Sequence, residues 1–433
     1  MSNESITILN AAMFSDAVPE FIKNGQRKIA WASRHMPIIN QLIEEYQPAQ
    51  PLKGYTVVTS IHMEAKTAYL VQALAKLGAT VFATGCNPLS TQDDVAVALS
   101  ETPNVTVYAV HGCDNYTYWK FLAYALSHRP HIIIDDGGDL VELLHDRCYK
   151  YCDRLLGGCE ETTTGVHRLR GLANSGKLLF PMFDVNDANC KHNYDNHYGT
   201  GQSVLDGILR TTNLIIASKT AVVAGYGDCG TGIAKRLHGL GAKVIITEVD
   251  PIKALKANMD GFTVMPMDDA AKLGDIFVTA TGCKQVIVNR HFKSMKDGAI
   301  LANAGHFDVE IDVASLEKLA TSCEEARHNI KAYTLDNGNT IFLLGEGRLV
   351  NLAAADGHAA EIMDMSFSIQ LLSVLHIVEN FIHIANSSFS TSPGLYSVPE
   401  YIDNKVANIA LKTQGITIDV LTESQKKYLE NGF

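Results

Sequence analysis

Gly225, Gly227 and Gly230 stand at G-x-G-x-x-G spacing, and the chemistry open to them depends on what flanks them. Upstream, Thr220 to Ala224 is a valine-rich run of a length that suits a buried parallel strand. Downstream, Ile233 to Leu240 reads as a helix whose N-terminal NH groups would face phosphates. The first glycine permits a tight turn, the second lets the backbone approach a pyrophosphate, and the third lets the helix pack close on the strand. A second strand, Lys243 to Thr247, delivers Glu248, 18 positions past the last glycine, where a dinucleotide-binding unit places the acid that bonds the ribose hydroxyls. An acid there repels a 2′-phosphate, so the pattern predicts NAD rather than NADP. The alternative is a glycine-rich strand-to-helix turn with no ligand.

The elements that would position further chemistry lie upstream. Residues 54–87 read strand, turn, helix, strand, a βαβ pattern met before the fingerprint, and HIIIDDGGDL at 131–140 reads as another strand. Ligands in open α/β sheets collect outside the carboxyl ends of strands, which places His62, Asp136 and Asp139 where a site is expected. Singly, each has a plain alternative: His62 as a satisfied strand-end histidine, Asp136 as a turn former. Residues 160–201 are irregular and dense in Glu, Thr, Asn, Asp, Lys and His, either a solvated linker or the wall of an interdomain cleft. After the fingerprint, segments 299–312 and 340–358 close the cofactor domain, the remainder reads as helical, and the tail reads as a terminal helix or arm.

With 433 residues, 46% of them hydrophobic and 19% charged, the chain reads as a soluble, two-domain globular protein. A formal net charge of −11 without long acidic runs argues against nucleic acid or anionic membrane as a partner. The nine cysteines are scattered, and His145, Cys148, Cys152 and Cys159 do not match a zinc module, so no metal is expected. Reduced packing cysteines suit a cytoplasmic protein, and the opening MSNESITILNAAMF carries no signal-peptide pattern. Met363 to Ala385, apolar but interrupted by acids, amides and histidines, reads as a packed helix and not a membrane span.

WASRHMP, HMEAKTA, STQDD, IDDGGDL, EETTTGV, the VND…K…DN run at 185–196, VVAGYGDCG, GHFDVEID and EGRLVN follow one another in order, and with them the sequence resembles the S-adenosylhomocysteine hydrolase family along nearly its whole length. The resemblance implies an α/β fold of two Rossmann-like doubly wound parallel-sheet domains plus a C-terminal arm. A substrate domain at 1–196 returns at 353–402, an NAD domain spans 197–352, and an arm at 403–433 serves a homo-oligomer, a tetramer by resemblance. It also implies a reversible hydrolysis of a nucleoside thioether with no net redox change. Oxidation of the ribose 3′-hydroxyl acidifies the C4′ proton, homocysteine is eliminated, water adds, and the hydride returns from tightly held NAD. Residue by residue, Lys191, with Asp195, falls to the 3′-hydroxyl as candidate base, a part that requires a lowered pKa. Glu161 and Thr162 fall to the ribose hydroxyls and ring, Asp136 to C4′ and C5′, and His62 and His306 to protons of the leaving thiolate and attacking water. Thr162, Thr163, Thr164, Asn196, Asp228, Thr281 and Asn351 fall to the cofactor side, and Thr67, Leu352 and His358 to the substrate.

The chain departs from the family's commoner pattern at Glu64 and Lys66, where Thr and Gln or Glu are usual. A lysine only donates and a carboxylate only accepts, so Lys66 facing position 6 and Glu64 facing N1 would complement hypoxanthine and mismatch adenine. Each buried mismatch costs about 1–3 kcal/mol, so two give a preference of roughly a hundredfold. The alternative is that the two charges neutralise each other or other residues, and i,i+2 spacing on a helix speaks against the first version. S-inosylhomocysteine is therefore weighed as the alternative to S-adenosylhomocysteine. The tail bearing Lys426, Lys427 and Tyr428 is shorter than the commoner form's, and Thr200 stands where a cysteine is usual near the nicotinamide. A catalytically silent NAD-binding relative and an ordinary dehydrogenase are the remaining readings. The first conflicts with the full set of acids and bases, and the second leaves EETTTG and the K…DN run unexplained.

Overall fold

The computed structural model describes residues 18–384 and 392–432; the opening segment in which no signal pattern was read lies outside them. In chain order the strands are β1 (Thr56–Ser60), β2 (Thr80–Thr84), β3 (Val105–Tyr108), β4 (Ile132–Asp135), β5 (Gly157–Glu160), β6 (Pro181–Asp184), β7 (Thr220–Ala224), β8 (Lys243–Thr247), β9 (Thr263–Val264), β10 (Ile276–Thr279), β11 (Ala299–Asn303), β12 (Ala320–Arg327), β13 (Ile330–Leu335), β14 (Thr340–Leu344) and β15 (Gly394–Ser397). They form two sheets, ordered β15-β6-β5-β4-β1-β2-β3 and β12-β13-β14-β11-β10-β7-β8-β9. Every pairing in the first is parallel. In the second only the β12–β13 and β13–β14 pairings are antiparallel.

The apolar runs follow from burial on both faces. Val57, Ile132 and Ile134 enter a core on one side of the first sheet, while Val58 and Ile133 enter a core on the other. Ala221 and Val223 likewise oppose Val222 across the second sheet. Successive side chains of a strand point to opposite faces, so a strand covered by helices on both sides carries adjacent apolar residues in place of an alternating pattern. The fold is thus α/β with two doubly wound sheets.

Three details differ from the sequence reading. The helix after the glycines runs Asp228–Gly239, starting five residues earlier than its apolar periodicity announces, because Gly227 is its N-cap. Of segment 299–312 only Ala299–Asn303 is strand, and β15 is a strand in a stretch read as helical. The helix Ala360–Ile384 is long and apolar enough to cross a membrane by composition, but 78% of its most apolar window is buried within the fold. Phe367, Leu371, Val374 and Val378 are part of the first sheet's core, so it is a core helix; its expected end at Ala385 lies outside the described residues.

Candidate functional site

One cavity of about 1200 Å³ lies between the carboxyl ends of the two sheets, and both sheets line it. From the first sheet come His62 beyond β1, Asp136 beyond β4 and Glu161 beyond β5. From the second come Gly225 and Gly227 beyond β7, Glu248 beyond β8, Thr281 beyond β10 and His306 beyond β11. The polar stretch 160–201 supplies Thr162, Thr163, Thr164, Lys191, Asp195 and Asn196, so it is a wall of the cleft and not a linker. Glu64, Lys66, Thr67, Asp228, Asn351, Leu352 and His358 also line the cavity. Gly230 and Asp139 do not line it; Asp139 pairs with Arg168 at 2.7 Å and accepts from the Tyr118 hydroxyl.

Lys191 centres one cluster. It enters on a short helical turn, followed by a π-type turn, His192–Gly199, that carries Asp195 and Asn196 inward. Its Nζ donates to Asn196 Oδ1 at 2.8 Å and Asn186 Oδ1 at 3.2 Å, and lies 3.3 Å from Asp195 and 3.9 Å from Glu161. The lowered pKa expected for a lysine base is not found. Burial works against the charge, but Asp195, Glu161 and Asp136 outweigh it and hold Lys191 as an ammonium well above its ordinary range. Asp195 goes the other way: burial raises it, yet Lys191 and His358, with Ser366 and His358 as hydrogen-bond partners, hold it well below the carboxylate range. Burial pushes Glu161 up to about 8, although its Oε2 accepts from Gln370 Nε2 at 2.6 Å.

This raised pKa has a stability consequence. A group whose pKa is higher folded than unfolded stabilises fully below its unfolded value, near 4.5 here, and that contribution is lost as pH rises through about 8. The ligand-free protein should therefore melt at lower temperature at pH 9 than at about pH 5, and Glu161→Gln should reduce the dependence, to which the raised Asp135 and Asp364 also contribute. Parallel curves for the two proteins would remove Glu161 as a source.

A second cluster holds His62, Asp136 and His306. Asp136 lies 3.6 Å from His62 Nε2 and 3.8 Å from His306 Nδ1, and accepts from the Cys86 thiol at 3.5 Å. Ser90 Oγ engages His62 Nδ1 at 2.7 Å, leaving Nε2 to the cavity. Burial takes His62 down to about 3, helped by His358 and Lys66, and also lowers His306, so both imidazoles are neutral at rest.

The expected separation of Glu64 and Lys66 is overturned. Glu64 is the extended N-cap of the helix Ala65–Lys76, its carboxylate accepting from the N–H of Lys66 and Thr67. From there it also pairs with Lys66 Nζ at 2.6 Å, which donates to the Asp356 carbonyl at 2.5 Å. The i,i+2 argument assumes both residues are helical, and an N-cap is not.

The residues fit a dinucleotide. Gly225 has φ +95°, Gly227 has open space where a Cβ would point, and the carboxylate of Glu248 accepts from the N–H of Tyr226, Val249 and Asp250. Thr281 is oriented by Glu310, which accepts from its N–H and hydroxyl and from the N–H of Gly282. Asn351 donates to Ser203 Oγ, and Thr200 Oγ1 meets Cys229 Sγ at 3.6 Å and His358 Nε2 at 3.4 Å. His145 spends its ring nitrogens on the Val141 carbonyl and the Leu179 N–H. Sequence reasoning missed Asn186, Gln370 and Glu310. Asn186 and Glu310 lie within the quoted motifs VND and GHFDVEID, whereas Gln370 is one of the amides that interrupt the apolar helix and was given no role.

Comparison with known proteins gives the family. The profile described as "S-adenosyl-L-homocysteine hydrolase, NAD binding domain" matches residues 196–357, and that described as "S-adenosyl-L-homocysteine hydrolase" matches residues 19–152. The chain is 53% identical over 409 residues to the S-inosyl-L-homocysteine hydrolase of Methanocaldococcus jannaschii, covering 94% of this chain and 96% of that one. It is 53% identical over 410 residues to the adenosylhomocysteinase of Thermotoga maritima, covering 95% and 100%. The adenosylhomocysteinase of Aquifex aeolicus is 51% identical over 409 residues, covering 94% and 96%. The chain therefore belongs to the S-adenosyl-L-homocysteine hydrolase family, with NAD as its cofactor.

Proposed function

We propose that the protein hydrolyses the thioether of S-adenosyl-L-homocysteine, reversibly, to adenosine and L-homocysteine, by 3′-oxidation, elimination, water addition and re-reduction. The observation that carries the reading is two acid–base clusters in one cavity with a dinucleotide fingerprint. An ordinary dehydrogenase needs one such cluster, whereas oxidation followed by elimination and hydration needs proton handling at separate ribose positions. Bound NAD supplies the hydride acceptor and donor that make C4′ temporarily acidic.

The first cluster works at the 3′-oxygen. Lys191, charged at rest, donates to that oxygen and stabilises negative charge developing on it, with Glu161 poised near neutral pH to exchange the proton. Proton release belongs to the Lys191–Glu161–Asp195 unit and not to a free amine. His358 and Ser366 keep Asp195 ionised and oriented. The second cluster works at C4′ and C5′. Asp136 is flanked by two neutral imidazoles, so a proton taken there passes to His62 or His306 and from either to the departing thiolate. The reverse relay takes a proton from the attacking water.

The closed Glu64–Lys66 pair supports adenine over hypoxanthine as the principal base, since its charges are spent on each other and on the chain. The inosyl compound remains the alternative because opening the pair would present a donor and an acceptor. Lys66→Gln is then expected to change the adenosyl-to-inosyl ratio of kcat/KM by less than about threefold, under 0.7 kcal/mol. A shift of tenfold or more toward the adenosyl compound would assign base readout to Lys66.

The domain limits given above are part of the same proposal, supported by β15 joining the sheet of β1–β6. So is a homo-oligomer in the cytoplasm. The exposed Ile418, Val420, Leu421, Tyr428 and Leu429 of the terminal arm support association, and the free cysteines support a reducing compartment. Free thiol release by the NAD-loaded protein, with the adenosyl and inosyl thioethers side by side, tests the whole reading. Steady NADH accumulation without thiol would replace it by a dehydrogenase.

A further inference from the structure

We propose that Glu160 is a positioning residue that holds Asp136 and Glu161 in register, one carboxylate oxygen tying down the backbone immediately after each of them. The inference rests on the function proposed above, which gives Glu160 no part.

Glu160 ends β5 directly beside Asp135 of β4 and is fully buried. Its Oε1 accepts from the N–H of Gly137 at 2.9 Å and from the N–H of Thr162 at 3.0 Å. These residues follow Asp136 and Glu161, so a single oxygen joins the loop of the elimination cluster to that of the oxidation cluster. Its backbone carbonyl accepts from the N–H of Val185 and Asn186, and Asn186 is a partner of Lys191.

The packing leaves little freedom. A Cβ on Gly165 would fall 2.1–2.3 Å from the Glu160 carboxyl carbon and oxygens, so a glycine in the first helical turn makes room for the carboxylate. Gly137 has φ +113°, and a Cβ there would meet His306 Nε2 at 2.5 Å, so the loop pinned by Glu160 also runs against His306. Glu160 Oε2 has no hydrogen-bond partner among the described residues. Burial, with Asp135 adding to it, raises the Glu160 pKa well above the ordinary range. Accepting two backbone N–H groups requires an oxygen but no charge, so an amide of the same shape can serve.

The test compares Glu160→Ala with Glu160→Gln in the NAD-loaded enzyme. Glu160→Ala is expected to lower kcat about a hundredfold, the scale of a 1 Å misplacement of reacting groups, with KM and NAD content changed less than about threefold. Glu160→Gln should recover kcat to within about threefold of the parent. An Ala variant with parental kcat, or a Gln variant as impaired as Ala, overturns the proposal, the latter because the carboxyl itself would then be required. Should Glu160→Ala fail to fold, Gly165→Ala supplies the second variant: its Cβ displaces the carboxylate, the same loss of kcat is expected, and parental kcat overturns the proposal. If the parent enzyme releases no thiol, the function reading fails separately. The crystal structures of the variants then decide: Gly137 and Thr162 displaced in Ala but not in Gln upholds the positioning role, and no displacement overturns it.

Discussion

Lys191→Ala is expected to lower thiol release by about a thousandfold or more while NAD remains bound. The expectation rests on the three carboxylates around one ammonium, not on a depressed lysine pKa. In the proposed mechanism the ribose oxygen then loses its cationic donor, and the Glu161 and Asp195 side chains lose the charge they share a buried pocket with. Removing one partner of such a buried set costs about 3–5 kcal/mol, and the protonated form of Glu161, already favoured below about pH 8, relieves part of that cost. Lys191→Arg separates the two contributions, since it keeps the charge but changes the geometry. A strongly impaired Arg variant with NAD and thermal stability retained would show that the position of the donor matters. Near-parental turnover in Lys191→Ala would remove the residue from the chemistry. NAD content by absorbance after denaturation and a melting curve, measured on the same preparation, tell loss of chemistry from loss of cofactor or fold.

What sequence could and could not reveal divides along physical lines. β1, β4, β7 and β8 were legible because strands covered on both faces carry unbroken runs of buried apolar residues, and Gly225 and Gly230 because a positive φ at the first and the Gly225 carbonyl against the second leave room only for glycine. β15 was not. Three of its four residues are only partly buried at the sheet edge and Ser397 is exposed, and the polar residues preceding it resemble a loop. The early start of the helix at Asp228 was hidden because helical periodicity reports burial, and the first turn faces the cavity. The ordered motifs pointed to side chains that the cavity gathers, but not to their charge states. Whether Lys191 is an amine or an ammonium depends on where Glu161, Asp195 and Asp136 point, and strands separated by tens of residues decide that. The Glu64–Lys66 pair shows the same limit at short range: one non-helical φ/ψ at the cap brings together two side chains that ideal helical spacing keeps apart.

Gly230→Ala should remove most bound NAD, although the change adds one methyl group. A Cβ at Gly230 would lie 2.0 Å from the carbonyl oxygen and 2.8 Å from the carbonyl carbon of Gly225, both backbone atoms with no rotamer to yield. The helix Asp228–Gly239 must then move away from β7, carrying its first-turn N–H groups off the phosphate position. Overpacking of this kind costs about 1–3 kcal/mol, and taken up in the binding loop it weakens NAD by roughly ten- to a hundredfold. Gly239 in the same helix is the internal control: a Cβ there meets nothing within 4 Å, so Gly239→Ala should be neutral or stabilising by about 0.5–1 kcal/mol with NAD binding unchanged. Equal NAD affinity in the two variants would mean that close packing of helix on strand does not set the phosphate site. Weakening in Gly230→Ala alone places the third glycine's role in the backbone-to-backbone approach, because helix propensity favours alanine at both positions.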